Sequence, residues 1–122
     1  MLKINADRLW ASLMAMAEIG ATARGGSCRL ALSDEDKAGR ELFCHWCREA
    51  GLTLSVDAIG NLFARRAGTD PDAAPVMMGS HLDTQPEGGR FDGVYGVLAG
   101  LEVLRCLNDL GIRTRKPLEV AV

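Results

Sequence analysis

The second half of the chain carries the pattern that most restricts the fold, which is a strand, a helix and a second strand in succession. Val76–Gly79 is an unbroken apolar run, typical of a strand covered on both faces. Apolar residues then recur at helical spacing from Val94 to Leu110, before Gly111 ends the helix. Leu118–Val122 is again typical of a strand. This order predicts a βαβ unit with parallel strands and a right-handed crossover.

Two helices and a β-hairpin are predicted upstream of this unit. Three apolar residues recur at the spacing of a helix with one buried face: Leu9, Leu13 and Met16. A second helix begins after Ser33, a good N-cap, and ends at Gly51. Residues 52–56 and 62–66 read as two strands joined by a turn. We therefore expect an α/β fold with a mostly parallel sheet and helices on its faces, preceded by two helices and a hairpin.

Composition and charge narrow the class of protein. The chain has 122 residues, of which 48% are hydrophobic and 25% charged, as in one folded domain or part of a larger one. The formal net charge is −2 and the basic residues are scattered, so we expect no nucleic-acid partner. No uncharged apolar stretch approaches the roughly 20 residues of a membrane span. We therefore expect no membrane partner.

The cysteines and the amino terminus bear on the compartment. Four cysteines are present, but the chain is not small and loop-rich enough to need disulfides. Reduced thiols and a cytoplasmic location are expected. A signal peptide is the alternative, because Lys3 and Arg8 precede an uncharged run from Leu9 to Ala17. Asp7 and the helical spacing of the apolar residues favour a folded helix instead.

Potential metal ligands are concentrated in residues 79–93, GSHLDTQPEGGRFDG, which follow the first strand of the βαβ unit. Ligand sites in parallel sheets lie beyond the carboxyl ends of the strands. The imidazole of His81 and the carboxylates of Asp83 and Asp92 suit Zn²⁺, Mn²⁺ or a similar divalent ion. Asp83 is placed to accept the second ring N–H of His81. Gly88 and Gly89 allow a tight loop that returns Asp92 toward His81.

The same residues have other interpretations. Asp92 is a natural N-cap for the helix that follows, and His81 could be a hydrogen-bonded residue in a turn. Cys44 and Cys47 form a CxxC pair, the signature of a redox dithiol. Such a pair needs a helix amino terminus to lower its pKa, whereas this one is predicted in the middle of a helix. We expect these two cysteines to be small buried side chains.

Three glycines are spaced along the second-half helix: Gly93, Gly96 and Gly100. No GKS or GKT follows Gly88 and Gly89, and the dinucleotide-binding pattern is absent. We expect these glycines to allow close packing of the helix on the sheet.

The run MMGSHLDTQPEGGRFDGVYGVLAGLEVLRCL resembles the first metal-binding segment of the zinc-dependent amidohydrolases of the M20 peptidase superfamily. It is most similar to the hydantoinase/carbamoylase branch, which contains N-carbamoyl-L-amino-acid hydrolases and β-ureidopropionases. IGATARGGSCRLALSDEDKAGRELF and VDAIGNLFARR are similar to the same branch. The resemblance therefore covers nearly the whole chain.

This resemblance implies a centre of two divalent ions, Zn or else Mn, Co or Ni. It implies that His81 binds one ion, that Asp83 orients His81 and that Asp92 bridges both ions. A Glu-Glu pair, giving the general base and a further ligand, is implied beyond Val122, and two more histidines lie further downstream. Residues 1–122 would be the amino-terminal part of the metal-binding catalytic domain of a homodimer. The rest of that domain and a separate dimerisation domain lie outside them.

The activity implied is hydrolysis of N-carbamoyl amino acids to amino acid, ammonia and carbon dioxide. Allantoate amidohydrolase is the nearest alternative, whereas a dipeptidase or aminoacylase is disfavoured because GGRFDG is typical of the carbamoylase side. A non-catalytic truncated remnant is an alternative of another class, with an exposed strand edge at Leu118–Val122 that would promote association. A thiol redox protein based on Cys44 and Cys47 is a third.

Overall fold

The computed structural model describes residues 1–122 as three helices and one four-stranded sheet. The elements are α1 (Ala6–Glu18), α2 (Asp34–Glu49), β1 (Thr53–Val56), β2 (Leu62–Arg66), β3 (Val76–Gly79), α3 (Val94–Asp109) and β4 (Leu118–Ala121). The predicted α/β class is confirmed, as is the order of two helices, a hairpin and a βαβ unit. None of the helices is long and apolar enough to span a bilayer.

The sheet is mixed, with the strand order β1-β2-β4-β3. β3 and β4 are parallel, with Met78 opposite Val120, as the βαβ prediction requires. The hairpin strands β1 and β2 are antiparallel, and β2 also pairs antiparallel with β4. The expectation of a mostly parallel sheet is therefore corrected. A single crossover helix gives a single parallel pair, and the hairpin adds two antiparallel ones.

The position of each strand in the sheet also differs from expectation. β4 lies between β2 and β3, and its Val120 is fully buried. The predicted exposed edge at Leu118–Val122 is wrong for this reason. β3 is an edge strand, and its Val76 and Met77 are 49% and 52% exposed, so it is not covered on both faces. An apolar run indicates a strand but does not say which neighbours it has.

All three helices pack on the same face of the sheet. Buried side chains from α1, α2 and α3 form one cluster with Leu62, Ala64 and Val120. The opposite face carries the alternate strand residues, which are Phe63, Arg65, Met77, Glu119 and Ala121. Helices were expected on both faces. The structure places them on one, and within residues 1–122 the other face has no helical layer.

The predicted helical faces are confirmed at α1 and α3. The three apolar residues predicted to face the core from α1 are all buried, namely Leu9, Leu13 and Met16. The apolar residues of α3 are buried at the predicted spacing: Val94, Val97, Leu98, Leu101, Leu104 and Leu107. A Cβ at Gly100 would lie 3.1 Å from a methyl carbon of Val120, and one at Gly96 would lie 2.8 Å from Cβ of Ser80. These two glycines therefore bring α3 close to the sheet, as expected.

An ion pair fixes α1 on α3. The carboxylate of Glu102, which is 1% exposed, accepts hydrogen bonds from Arg8 Nε at 2.8 Å and Arg8 Nη2 at 2.7 Å. It also accepts one from the backbone N–H of Asn5 at 3.1 Å. The bond to Glu102, followed by one to Asp109, raises the pKa of the Arg8 guanidinium. The two helices are thus held in the register that buries their apolar faces.

Candidate metal-binding loop

The segment 79–93 leaves the carboxyl end of β3 and reaches the amino terminus of α3. Its first step continues the sheet, because the Ser80 N–H donates to the Ala121 carbonyl at 3.2 Å. His81 follows at once, so its backbone starts from a fixed strand end. This is the edge of a βαβ unit at which ligand sites are found.

The imidazole of His81 is held in one tautomer. Its Nδ1 lies 2.8 Å from the backbone carbonyl oxygen of Asp83. A carbonyl oxygen only accepts hydrogen bonds, so in the neutral ring Nδ1 carries the proton and the lone pair lies on Nε2. Nε2 makes no hydrogen bond within residues 1–122, and the side chain is 49% exposed. This is the state in which a histidine binds a metal ion through Nε2.

Asp83 lies beside the same ring nitrogen, where sequence reasoning put it. Its Oδ1 is 3.4 Å from Nδ1 of His81, while its own carbonyl oxygen is the closer acceptor. The ring N–H is therefore bonded to the backbone of Asp83, and the carboxylate adds negative charge nearby. Both contacts favour the same ring orientation.

The two ends of the loop meet at Gly93. A Cβ built on this residue would lie 2.5 Å from Nδ1 and 2.6 Å from Nε2 of His81, so the ring occupies the space of the missing side chain. Gly93 has φ +72°, a conformation that L-residues rarely adopt. The loop thus returns Asp92, the preceding residue, to the neighbourhood of His81.

Asp92 does not cap α3 with its side chain. The N-cap is Gly93, which has no side chain to accept a hydrogen bond, and the carbonyl of Asp92 accepts from the Val94 N–H at 2.8 Å. The N-cap interpretation of Asp92 is therefore wrong. Its carboxylate is exposed and makes no hydrogen bond or ion pair within the chain. That leaves it available to a cation.

The loop is fastened to the segment between α1 and α2. The Arg29 N–H donates to Thr84 Oγ1 at 2.7 Å, and the Thr84 N–H donates to the Arg29 carbonyl at 2.7 Å. Further along, Ser27 and Gly88 exchange two backbone hydrogen bonds of 2.9 Å. Sequence reasoning did not identify Arg29 or Thr84. These contacts join residues more than fifty positions apart, and no local pattern reports them.

The side chains of the loop fit part of a divalent metal site. A neutral imidazole with a free Nε2 and an unpaired carboxylate are both ordinary ligands of Zn²⁺ and similar ions. No group of three or more His, Cys, Asp or Glu side chains in residues 1–122 is arranged to hold a metal ion. His81 and Asp92 therefore supply at most part of a ligand set.

The CxxC pair is built into the core instead. Cys47 is fully buried in α2, Cys44 is half-buried, and all four cysteines are free. Burial raises the pKa of the Cys47 thiol to about 12, and it raises the pKa of Cys44 as well. A redox dithiol needs the opposite shift. The expectation of small buried side chains is confirmed for Cys47.

Comparison with known proteins identifies the family. The N-carbamoyl-L-amino-acid amidohydrolase of Rhizobium meliloti is 60% identical over 118 residues, which are 97% of this chain and 28% of that enzyme. A crystal structure of a hydantoinase/carbamoylase family amidase from Burkholderia ambifaria matches with a TM-score of 0.97 and 71% identity, over 98% of this chain and 29% of that one. The chain belongs to the hydantoinase/carbamoylase family of amidases.

A second amidohydrolase of the same name, from Geobacillus stearothermophilus, is 46% identical over 117 residues, which are 96% of this chain and 29% of that enzyme. No protein-family model matches the chain. The chain spans less than a third of the length of these members of the hydantoinase/carbamoylase family. Its α/β architecture is that of the matching part of the Burkholderia ambifaria amidase.

Proposed function

We propose that the protein containing residues 1–122 is a metal-dependent amidohydrolase that cleaves N-carbamoyl amino acids to amino acid, ammonia and carbon dioxide. The observation that carries this proposal is the state of His81, whose Nδ1–H is bonded to the Asp83 carbonyl while Nε2 is free. The ring also lies against Gly93, the residue that follows Asp92 in the chain, and the carboxylate of Asp92 is exposed. The substrate class is supported by the 60% identity to an N-carbamoyl-L-amino-acid amidohydrolase.

His81 and Asp92 are proposed to hold two divalent ions, Zn or else Mn, Co or Ni, together with ligands outside residues 1–122. Such ions polarise a carbonyl group and lower the pKa of bound water. His81 supplies a neutral ligand with a fixed direction, because its other nitrogen is already bonded to Asp83. Asp92 would supply a negatively charged carboxylate as a ligand common to both ions. The general base is proposed to be a glutamate beyond Val122.

Residues 1–122 are proposed to form the amino-terminal part of the metal-binding catalytic domain. The relatives are more than three times as long, which leaves room for further ligands and for a dimerisation domain. A homodimer in the cytoplasm is part of the same proposal. Four free thiols, two of them buried, suit a reducing compartment.

The proposal is tested by a substrate panel on the complete protein. Ammonia and free amino acid are measured with N-carbamoyl-L-amino acids, their D-isomers, allantoate, N-acyl amino acids and dipeptides. The expected result is the highest kcat/KM on an N-carbamoyl-L-amino acid, loss of turnover with a chelator, and recovery with Zn²⁺ or Mn²⁺. Preferred turnover of allantoate would support the nearest alternative instead. No hydrolysis of any compound by metal-loaded protein would indicate a non-catalytic remnant.

A further inference from the structure

Arg29 is a buried arginine whose side chain is bonded only to backbone. Its exposed fraction is 0%, and it makes no ion pair with any carboxylate. Nε donates to the Leu82 carbonyl at 2.8 Å, and Nη1 donates to the carbonyls of Ile19 at 2.7 Å and Met16 at 3.2 Å. Nη2 has no hydrogen-bond partner. Such an arrangement is unusual because a buried charge is normally paired.

The carboxyl end of α1 partly compensates the buried positive charge of Arg29. Met16 lies in the last turn of α1 and Ile19 is its C-cap, so their carbonyls form the negative end of the helix dipole. Burial lowers the pKa of the Arg29 guanidinium, and the charges of Asp36 and Asp83 oppose that effect from beyond ion-pairing distance. Arginine stays protonated despite this cost. Arg29 is therefore a buried cation, and packing of the core does not by itself explain why a charged residue occupies this position.

The bond to Leu82 places this cation at the metal-binding loop. Leu82 stands between His81 and Asp83, and its carbonyl belongs to the peptide unit that leads into Asp83. The backbone of Arg29 forms two more hydrogen bonds to Thr84, both of 2.7 Å. One residue thus holds the loop at positions 82 and 84, on either side of Asp83.

The space around Arg29 is shaped to fix the guanidinium. A Cβ on Gly39 of α2 would lie 2.8 Å from Cδ and 3.3 Å from Nε of Arg29. The diverging N–H groups of an arginine reach carbonyls on two different segments at once, which the single ammonium of a lysine does less well. The guanidinium therefore links the loop to α1 in a defined geometry.

We propose that Arg29 is a positioning residue for the metal-binding loop, setting the direction of His81 by tying the Leu82 carbonyl to the carboxyl end of α1. This inference rests on the proposed function, since it concerns the ligand that function requires. It assigns Arg29 no contact with metal or substrate. Its role is to hold the backbone from which His81 and Asp83 are presented.

The test uses Arg29→Met and Arg29→Lys in the complete protein. Zn²⁺ affinity is measured by competition with a chromogenic chelator, well below the Tm of each variant. Arg66→Met is the matched control, because Arg66 also donates to a backbone carbonyl, that of Ile112, but lies away from the loop. The expected result is a roughly 10–100-fold loss of affinity for Arg29→Met, as when groups that orient a ligand are removed. Arg29→Lys should recover part of it, and Arg66→Met should match the wild type.

A second readout does not depend on metal. In metal-free protein labelled with ¹⁵N-histidine, the hydrogen-bonded Nδ1–H of His81 gives an NMR signal that His81→Ala assigns by its loss. Arg29→Met should shift this signal or abolish it through exchange with water, and Arg66→Met should leave it unchanged. A folded Arg29→Met variant with wild-type affinity and an unchanged signal would overturn the inference, even if its Tm were lower.

The variants distinguish failure of this inference from failure of the proposed metal site. If Arg29→Met does not fold, Arg29→Lys and Gly39→Ala decide, and wild-type affinity and an unchanged signal in both would overturn the inference. If wild type and His81→Ala bind Zn²⁺ equally, the proposed metal site fails. The ring signal still shows whether Arg29 positions His81.

Discussion

The imidazole of His81 lies over the Cα of Gly93, in the space that a β-carbon would fill. The two residues close a loop that begins at the end of β3 and ends at the start of α3. Their contact returns the backbone that follows Asp92 to the ring of His81, although eleven positions separate these two predicted ligands. Because the ring fills this space, any other residue at position 93 would displace the side chain of His81.

Replacing Gly93 should therefore weaken metal binding. Gly93→Ala adds a Cβ within 2.6 Å of both ring nitrogens of His81. We expect a roughly 10–100-fold loss of Zn²⁺ affinity, measured by chelator competition on the complete protein. Gly51→Ala is the matched control, because Gly51 has φ +73° against +72° for Gly93 and nothing lies within 4 Å of its Cβ position.

Both alanine variants place an L-residue at a positive φ, which costs about 1–2 kcal/mol. The ψ of −54° at Gly93 adds further strain there, because it lies outside the left-handed helical region. Both variants should lower Tm, while only Gly93→Ala should weaken metal binding. Equal metal affinities in the two variants would show that the contact between His81 and Gly93 does not matter for the site.

The ion pair between Arg8 and Glu102 should contribute to stability. Arg8→Met leaves the carboxylate of Glu102 buried, with only the Asn5 N–H as a partner. We expect a loss of about 1.5–3 kcal/mol in the free energy of unfolding, measured with urea, because hydrogen bonds to a buried charged group are lost. Asp109→Asn is the control, since Asp109 is 55% exposed and should contribute about 1 kcal/mol or less. Equal losses in both variants would contradict this assignment.

The thiol of Cys47 should resist alkylation in the native protein. Its pKa of about 12 leaves almost no thiolate at a mildly alkaline pH of about 8, and burial blocks access. Peptide mapping after iodoacetamide treatment should show Cys47 unmodified in native protein and modified in denatured protein. Rapid native modification, or reduction of insulin by the protein, would revive the redox alternative.

The same thiol should make the free energy of unfolding fall as the pH becomes alkaline. The folded pKa of Cys47 is raised above its ordinary value of 9.0, so the unfolded chain loses this proton first. The contribution of Cys47 to stability is full below pH 9 and is lost as pH rises toward 12. Cys47→Ala should flatten that part of the curve of unfolding free energy against pH.

Local patterns predicted the elements of this fold well. The helical spacing in α1 and α3 and the turn between β1 and β2 depend on neighbours in sequence, and all of them are confirmed. Sheet order is a different matter. Nothing local distinguishes an edge strand from a central one. Sequence reasoning therefore predicted that β3 is covered and that β4 is exposed, whereas Val76 of β3 is exposed and Val120 of β4 is buried.

The candidate site divides in the same way. His81, Asp83 and Asp92 carry chemistry that is visible in their residue types, and they lie in one loop. The acceptor of the His81 N–H is a backbone carbonyl, which no residue type encodes. Arg29 and Thr84 meet only after the chain has folded, and Arg29 gives no signal in its own segment. Contacts of this kind need the structure.

The most direct test of the central claim is the metal content of the complete protein. After chelation, reloading with Zn²⁺ and removal of excess metal, elemental analysis should give two ions per chain for the wild type and for Arg66→Met. His81→Ala should lose one ion, and Asp92→Asn should weaken both because it is proposed to be shared. Retention of two ions with unchanged affinity in His81→Ala would contradict the account.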